Sequence, residues 1–182
     1  MIKPAGSGPR EFSQCGGTLI APTWVLTAAH CTEGLDIEHP GHAVMGSSNT
    51  CSPGLPCENG TVYQFKTIIN HPLYQGCTVR NDIALIELAG EGNTMARPAP
   101  VSSLPIPADA ILNAAQKRVV SVGWGTLESG GATPKVLQKV ELDMVARDEI
   151  IVKSEYTADM IHLGMIGGHG KGKDTCQGDS GG

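Results

Sequence analysis

The sequence predicts an all-β protein built from two β units. Among its 182 residues, 24 are glycine and 12 are proline, and such frequent turn formers favour many short strands over long helices. Short apolar or alternating runs lie between these turns, as expected for half-buried strands. A proline-rich stretch separates an N-terminal group of strands from a C-terminal group, which indicates two units.

The N-terminal group begins with Cys15–Cys31. This segment predicts two short apolar strands around a turn at Ala21–Thr23, followed by a brief helical turn. Two alternating runs, and one apolar run with an acid at its leading end, predict three further strands. These runs are His42–Gly46, Thr61–His71 and Asp82–Leu88. The loop 47–60 contains Cys51 and Cys57, which we expect to bond locally.

The C-terminal group follows a linker. Prolines recur between Ala89 and Ala115 without a clear hydrophobic period. We therefore assign 15–97 to the first β unit, 98–117 to the linker and 118–182 to the second β unit. Two strands, a short helix and a brief strand are predicted in the second unit. They are Arg118–Gly125, Lys135–Val145, Arg147–Tyr156 and 159–164, in that order.

Charge and hydropathy argue against two classes of partner. The net charge is −5, which disfavours nucleic acid and anionic membrane surfaces. No apolar run approaches the roughly 20 residues that a membrane-spanning helix needs. We therefore predict neither a nucleic acid nor a membrane as partner.

The cysteines indicate an oxidising compartment. There are six of them, and no two have the CxxC spacing of a structural zinc site. They are Cys15, Cys31, Cys51, Cys57, Cys77 and Cys176. A secreted, extracellular protein is the expectation. The first residues lack the apolar core of a signal peptide, so either export is encoded upstream or this is not the natural N-terminus. The second explanation is preferred.

Ser180 stands in the stretch "DTCQGDSGG", with glycine on both sides. Glycines allow a tight turn and leave room for another molecule, although a plain polar turn would have the same composition. A serine hydroxyl becomes a nucleophile only beside a base, and the base needs an orienting group. His30, at the end of an apolar strand, and Asp82, at the head of another, are candidates for these roles. Alone, each would be a structural histidine or a strand cap.

The blocks "TAAHC", "NDIAL" and "CQGDSGG", in this order, resemble the signature motifs of the trypsin-like serine proteases, which have the chymotrypsin fold. The stretch "SVGWGTLESGG" is similar to the strand and loop that open the second barrel in that family. The resemblance covers Cys15–Gly182. It implies two six-stranded antiparallel β-barrels, the second of them incomplete in this chain.

The resemblance also implies a set of catalytic roles. Ser180 would be the nucleophile, His30 the general base and Asp82 its orienting acid. The backbone amides of Gly178 and Ser180 would form the oxyanion hole. The implied function is a serine endopeptidase that works through an acyl-enzyme without a cofactor or metal.

Asp174, six residues before Ser180, matches the floor of the family's primary specificity pocket. An aspartate there resembles the trypsin arrangement, because a carboxylate in a narrow pocket pairs with a long cationic side chain. The implied partners are protein or peptide substrates with Arg or Lys, together with protein protease inhibitors. Alternatively, Asp174 is a surface acid that balances Lys171 and Lys173.

Further pairings follow from the same resemblance. A disulfide would join Cys15 to Cys31, and Asp179 would form an ion pair with the amino group of a processed N-terminus. The family partner of Cys176 would lie beyond Gly182, and Cys77 has no assigned partner. A separate sequon, Asn59-Gly60-Thr61, predicts N-glycosylation at Asn59. His162 stands where many members of the family have a cysteine. His39, His42, His71 and His169 are scattered, and we interpret them as surface or structural residues rather than metal ligands.

Both ends of the chain are shorter than the family pattern. From this we expect a fragment, truncated at both ends, which is inactive by itself. Two functions follow: an endopeptidase in the full-length protein, or a catalytically inactive homologue that acts as a binding or inhibitor module. The presence of all three triad residues favours the enzyme.

Overall fold

The computed structural model describes most of the predicted strands and the segments that carry the candidate site. The described residues are 2–3, 15–35, 41–49, 60–90, 118–145, 149–151, 160–161, 165 and 167–182. The predictions for the Cys51–Cys57 pair, for Asn59 and for the linker 98–117 lie outside these ranges.

Six strands form one antiparallel sheet in the first half of the chain. They are β1 (Ile2–Lys3), β2 (Thr18–Ala21), β3 (Trp24–Thr27), β4 (His42–Met45), β5 (Thr61–Asn70) and β6 (Ala84–Leu88). Their order across the sheet is β1-β4-β5-β6-β3-β2. The predicted turn at Ala21–Thr23 joins β2 to β3, and a short 3-10 turn, Ala29–Thr32, follows β3. These predictions are confirmed, although β6 begins at Ala84 rather than at Asp82.

The sheet curls so that its two edges approach each other. Ile2, in edge strand β1, and Cys15, just before edge strand β2, form an antiparallel bridge. The Ile2 amide donates to the Cys15 carbonyl oxygen at 2.8 Å, and the Cys15 amide donates back at 3.3 Å. Such closure leaves fewer unpaired backbone groups at the sheet edges.

The core lies inside this curled sheet. Burial alternates along β3 and β6, as the two-residue period of a strand requires when one face points inward. The buried cluster consists of Ile2, Cys15, Val25, Ala43, Phe65, Ile86 and Leu88. Each fully buried Ile, Leu or Phe contributes about 1.5–3 kcal/mol to folding, so these side chains fix the strands that position the candidate site.

A second, three-stranded sheet has the order β7-β8-β9. Its strands are β7 (Arg118–Gly123), β8 (Gln138–Val145) and β9 (Gly167–His169). The first two were expected, with β8 starting three residues later than predicted. Of the predicted helix, 149–151 is helical and the rest lies outside the description. Met160 and Ile161 form a turn and a bend rather than a strand, and the glycine-rich β9 was not predicted.

Packing divides the chain into two units that do not follow chain order. The first comprises Met1–Val101, Val122–Gln138 and Cys176–Gly182. The second comprises Ser102–Ser121 and Lys139–Thr175. Ser180 therefore packs in the same unit as the six-stranded sheet, while the linear boundaries proposed from sequence stay predictions.

Within the described residues, no helix is both long enough and apolar enough to cross a membrane.

Candidate active site

The 3-10 turn Ala29–Thr32 holds His30 at the end of β3. Ala29 is completely buried, and the buried Thr32 hydroxyl donates to the Ala29 carbonyl oxygen at 2.7 Å. The Cys31 amide donates to the Ala28 carbonyl oxygen at 3.2 Å. The turn is thus anchored on its inner side, while 39% of the His30 side chain remains exposed.

Asp82 holds His30 at two points. Asp82 Oδ2 lies 2.7 Å from His30 Nδ1, and Asp82 Oδ1 accepts from the His30 backbone amide at 2.8 Å. The carboxylate is 18% exposed, against 39% for the imidazole. Because Asp82 is an acceptor, this arrangement favours the tautomer with the proton on Nδ1, which leaves Nε2 free to accept a proton.

Strand register explains why these two side chains meet. In the antiparallel pair of β3 and β6, Thr27 lies opposite Ala84. His30 comes three residues after Thr27, and Asp82 comes two residues before Ala84. The chain therefore leaves β3 and enters β6 at the same end of the sheet.

The Ser180 backbone is hydrogen-bonded to Gly16, which lies just before β2. The Gly16 amide donates to the Ser180 carbonyl oxygen at 2.6 Å, and the buried Thr27 hydroxyl donates to the Gly16 carbonyl oxygen at 2.9 Å. Cys31 Sγ lies 3.7 Å from the Ser180 carbonyl oxygen and 3.6 Å from His30 Nε2. Ser180, His30 and Asp82 are thereby gathered at one end of the curled sheet.

The Ser180 hydroxyl makes no hydrogen bond to His30 or to another group in the part of the chain that the structure describes. In enzymes without substrate, catalytic hydrogen bonds are often long or poorly aligned and tighten only in the substrate complex. The hydroxyl is therefore available to a ligand that enters the site.

Glycines permit the segment 176–182, here called the serine loop, to approach Gly16 and Thr27 closely. A Cβ added to Gly16 would lie 2.7 Å from the Gly182 backbone. Gly181 has a φ of +79°, and a Cβ there would overlap the Thr27 hydroxyl and lie 2.7 Å from the Gly16 carbonyl oxygen. Gly178 has a φ of +99°, a left-handed conformation that side chains rarely adopt. These positions require glycine for reasons of space and backbone geometry.

The two backbone amides predicted to form the oxyanion hole, those of Gly178 and Ser180, donate no hydrogen bond within the described residues. Unsatisfied backbone amides beside a nucleophilic hydroxyl can stabilise a developing negative charge.

Asp179 is held by two backbone amides. Its Oδ1 accepts from the Gly125 amide at 2.7 Å, and its Oδ2 accepts from the Cys176 amide at 3.0 Å. The neighbouring Thr126 amide also donates to the Gln177 carbonyl oxygen, at 2.9 Å. These bonds connect the segment 124–126 to the serine loop, and the predicted pairing of Asp179 with an N-terminal amino group stays a prediction.

The stretch "VGWG" contains two glycines, Gly123 and Gly125, whose contact with Asp179 was not predicted from the sequence. A Cβ on Gly125 would lie 2.5 and 2.6 Å from the two Asp179 carboxylate oxygens, and one on Gly123 would overlap Oδ1. Gly123 is the last residue of strand β7, where glycine is unfavourable by propensity. A glycine within a strand pattern indicates close approach by another group, so this signal was present.

Replacing Gly125 by alanine is expected to destabilise the protein by about 1–3 kcal/mol, the usual cost of forcing an extra methyl group into a packed site. The methyl group would displace the Asp179 carboxylate and loosen the serine loop. Urea unfolding, followed by circular dichroism, measures the change in the free energy of unfolding.

The control is the same substitution in an Asp179→Ala background. There the carboxylate that clashes is gone, so the added methyl group should cost less than in the wild type. If Gly125→Ala lowered the free energy of unfolding equally in both backgrounds, the added methyl group would not be clashing with Asp179.

The predicted disulfide joins Cys15 to Cys31 and so connects the start of the first hairpin to the His30 turn. Cys15, His30 and Cys31 are close enough together to suggest a metal site, but the two sulfurs are bonded to each other and offer no thiolate. Among the described residues, Cys77 and Cys176 are free thiols.

Asp174 belongs to the second unit, whereas the triad candidates belong to the first. It is exposed, and its Oδ1 accepts from the Thr175 amide at 2.8 Å. Its assignment to a specificity pocket therefore stays a prediction.

Comparison with known proteins identifies the relatives of this chain. The family model described as "Trypsin" matches residues 5–182. A trypsin from Simulium vittatum is 35% identical over 185 residues, which covers 100% of this chain and 69% of the relative. A trypsin from Phaedon cochleariae is 38% identical, over 92% of this chain and 62% of the relative. Trypsin-1 from Astacus astacus is 36% identical over 94% of this chain and 70% of the relative.

Proposed function

This chain belongs to the trypsin-like serine protease family, and from this premise we propose that it carries the catalytic residues of a serine endopeptidase that cleaves after Arg or Lys. The observation that carries the proposal is the double attachment of His30 to Asp82 beside the Ser180 loop. An imidazole oriented by a carboxylate is what activation of a serine hydroxyl requires.

Catalysis would begin at Ser180. Its hydroxyl oxygen attacks the carbonyl carbon of the scissile peptide bond, and His30 Nε2 takes the hydroxyl proton. Asp82 accepts the hydrogen bond from the Nδ1 proton and stabilises the imidazolium that forms. The tetrahedral intermediate carries its negative charge on the former carbonyl oxygen.

The amides of Gly178 and Ser180 would donate to this oxygen. One such donor is typically worth about 3–4 kcal/mol of transition-state stabilisation. The intermediate collapses when His30 returns the proton to the leaving amine, which departs and leaves an acyl group on Ser180. Water then attacks the acyl-enzyme by the same steps and releases the new carboxylate.

Asp174 would confer the preference for Arg and Lys, since its carboxylate can pair with a cationic side chain. Peptide and protein substrates are then the partners, and protein protease inhibitors would compete with them for Ser180. The Cys15–Cys31 disulfide supports secretion, because such bonds persist in oxidising compartments.

Hydrolysis of arginyl amides by the activated full-length protein tests this proposal through Asp174→Ser. The variant should lose about 10- to 100-fold in kcat/KM for an arginyl amide, because the substrate cation would lose charge-assisted hydrogen bonds to Asp174 that are typically worth about 1.5–3 kcal/mol. Activity on an amide with an apolar side chain at the same position should be retained.

The matched control is Asp143→Ser, which removes a carboxylate that is 72% exposed on β8. It should leave both substrates unaffected. Unchanged arginyl hydrolysis in Asp174→Ser would refute the assignment of specificity, and no arginyl hydrolysis by the wild type would refute the proposed function.

A further inference from the structure

A second contact joins the two segments that carry His30 and Asp82. The Tyr74 hydroxyl donates to Glu33 Oε1 at 2.7 Å. Glu33 directly follows the 3-10 turn that contains His30, and Tyr74 lies in the loop 71–81, which leads to Asp82. The proposed chemistry uses neither residue.

The loop 71–81 is closed upon itself by hydrogen bonds. The His71 amide donates to the Ile83 carbonyl oxygen at 3.0 Å, and the Gln75 amide donates to the Arg80 carbonyl oxygen at 3.1 Å. The Asn81 side-chain amide donates to the Leu73 carbonyl oxygen at 2.9 Å. These bonds tie the ends and the centre of the loop together, so we expect a displacement of Tyr74 to be transmitted to Asp82.

Glu33 also packs against the tip of this loop. A Cβ added to Gly76 would lie 2.7 Å from Glu33 Oε1, so the carboxylate lies directly on the Gly76 backbone. The same oxygen accepts from Tyr74. Glu33 therefore contacts the loop at two places, two residues apart.

The end of the loop is conformationally strained. Val79 and Asn81 have φ values of +53° and +54°. Asparagine tolerates this region, but a β-branched residue such as valine is an outlier there. A segment in such a conformation persists only when surrounding contacts over-determine it. The attachment to Glu33 is one such contact.

We propose that the Glu33–Tyr74 hydrogen bond is a latch that positions Asp82 against His30 by fastening the loop 71–81 to the His30 turn. This inference rests on the proposed function, because its purpose is to maintain the His30–Asp82 pair. The pair is partly exposed, so water competes for its hydrogen bonds, and a second attachment restricts the alternatives.

The Tyr74 hydroxyl keeps its proton over a wide pH range. Partial burial and the Glu33 carboxylate raise the pKa of Tyr74 to about 12, with smaller contributions from Asp82 and Cys77. A phenol whose pKa is raised on folding contributes stability below its unfolded value near 10, and this contribution is lost as the pH rises through about 12. The hydroxyl is thus a donor at every pH at which a serine protease would work.

Tyr74→Phe is expected to lower kcat for a small arginyl amide about threefold to tenfold, in keeping with the loss of one hydrogen bond. KM should stay the same, because Tyr74 acts through Asp82. Glu33→Ala should match Tyr74→Phe, whereas Glu33→Gln keeps an acceptor and should retain most of the activity. The double variant Tyr74→Phe/Glu33→Ala should be no worse than either single variant.

Tyr63→Phe is the matched control, since Tyr63 lies in β5 and makes no hydrogen bond through its hydroxyl in the described residues. It should leave kcat unchanged.

Proton NMR of the His30 Nδ1 hydrogen separates positioning from general stability. In Tyr74→Phe this signal should broaden through faster exchange with water, while Tyr63→Phe keeps it sharp. An unchanged signal and kcat in Tyr74→Phe, or a Glu33→Gln variant as impaired as Glu33→Ala, would overturn the latch. The NMR result holds even if the wild type cleaves no arginyl amide, an outcome that would refute only the proposed function.

Discussion

Ser180→Ala is expected to lower kcat for an arginyl amide by about 10⁴- to 10⁶-fold, because it removes the hydroxyl oxygen that would form the acyl-enzyme in the proposed mechanism. KM should change little, since the substrate contacts remain. The Ser180 hydroxyl makes no hydrogen bond in the described residues, so the substitution should leave the melting temperature nearly unchanged. Steady-state kinetics and thermal unfolding measure both quantities.

Ser48→Ala provides the comparison, because Ser48 is an exposed serine in the turn after β4. It should keep full activity. If Ser180→Ala retained more than about one tenth of the wild-type kcat, another group would be the nucleophile and the proposed mechanism would be wrong.

Asp82→Asn should have the next largest effect. The asparagine fills the same space, but it offers one acceptor oxygen where Asp82 accepts from both the His30 amide and His30 Nδ1. If the amide nitrogen faces the imidazole, Nδ1 becomes the acceptor and the proton moves to Nε2. The base can then no longer take the Ser180 proton. For the Ser-His-Asp template drawn from this same family, this substitution lowers kcat about 10⁴-fold, and we expect a similar loss here.

Asp143→Asn is the corresponding exposed substitution and should be silent. The fall in activity of Asp82→Asn should appear in kcat rather than KM, and hydroxide should partly restore it at high pH by replacing the missing base. A variant with normal kcat would show that Asp82 does not orient the catalytic base.

Strands β2 to β6 of the first sheet were predictable because their signal is local, whereas the two-residue strand β1 (Ile2–Lys3) was not predicted. Strands β3 and β6 appear in the sequence as short apolar runs, and the turn at Ala21–Thr23 is marked by a proline. Strand β9 was missed because it lacks such a local signal. Its residues are Gly167, Gly168 and His169, which show no apolar pattern.

The candidate site was partly predictable from the sequence. The order of the blocks around His30, Asp82 and Ser180 indicated these residues through a resemblance to a family. A single histidine, aspartate or serine is not part of a periodic pattern, so by itself it does not indicate which residues it contacts. The pairing of His30 with Asp82, which lie 52 positions apart, follows from the register of β3 and β6.

By itself, the sequence determined the positions of strands β2 to β6, and its resemblance to a family indicated the three residues of the candidate triad. Only the tertiary structure decided how the ends of the sheet meet at Ile2 and Cys15, why Gly125 must lack a side chain beside Asp179, and that Glu33 is bonded to Tyr74. The physical reason is that periodicity reports which face of a segment is buried. Contacts between distant segments depend on chain closure and packing, which leave no periodic trace in the sequence.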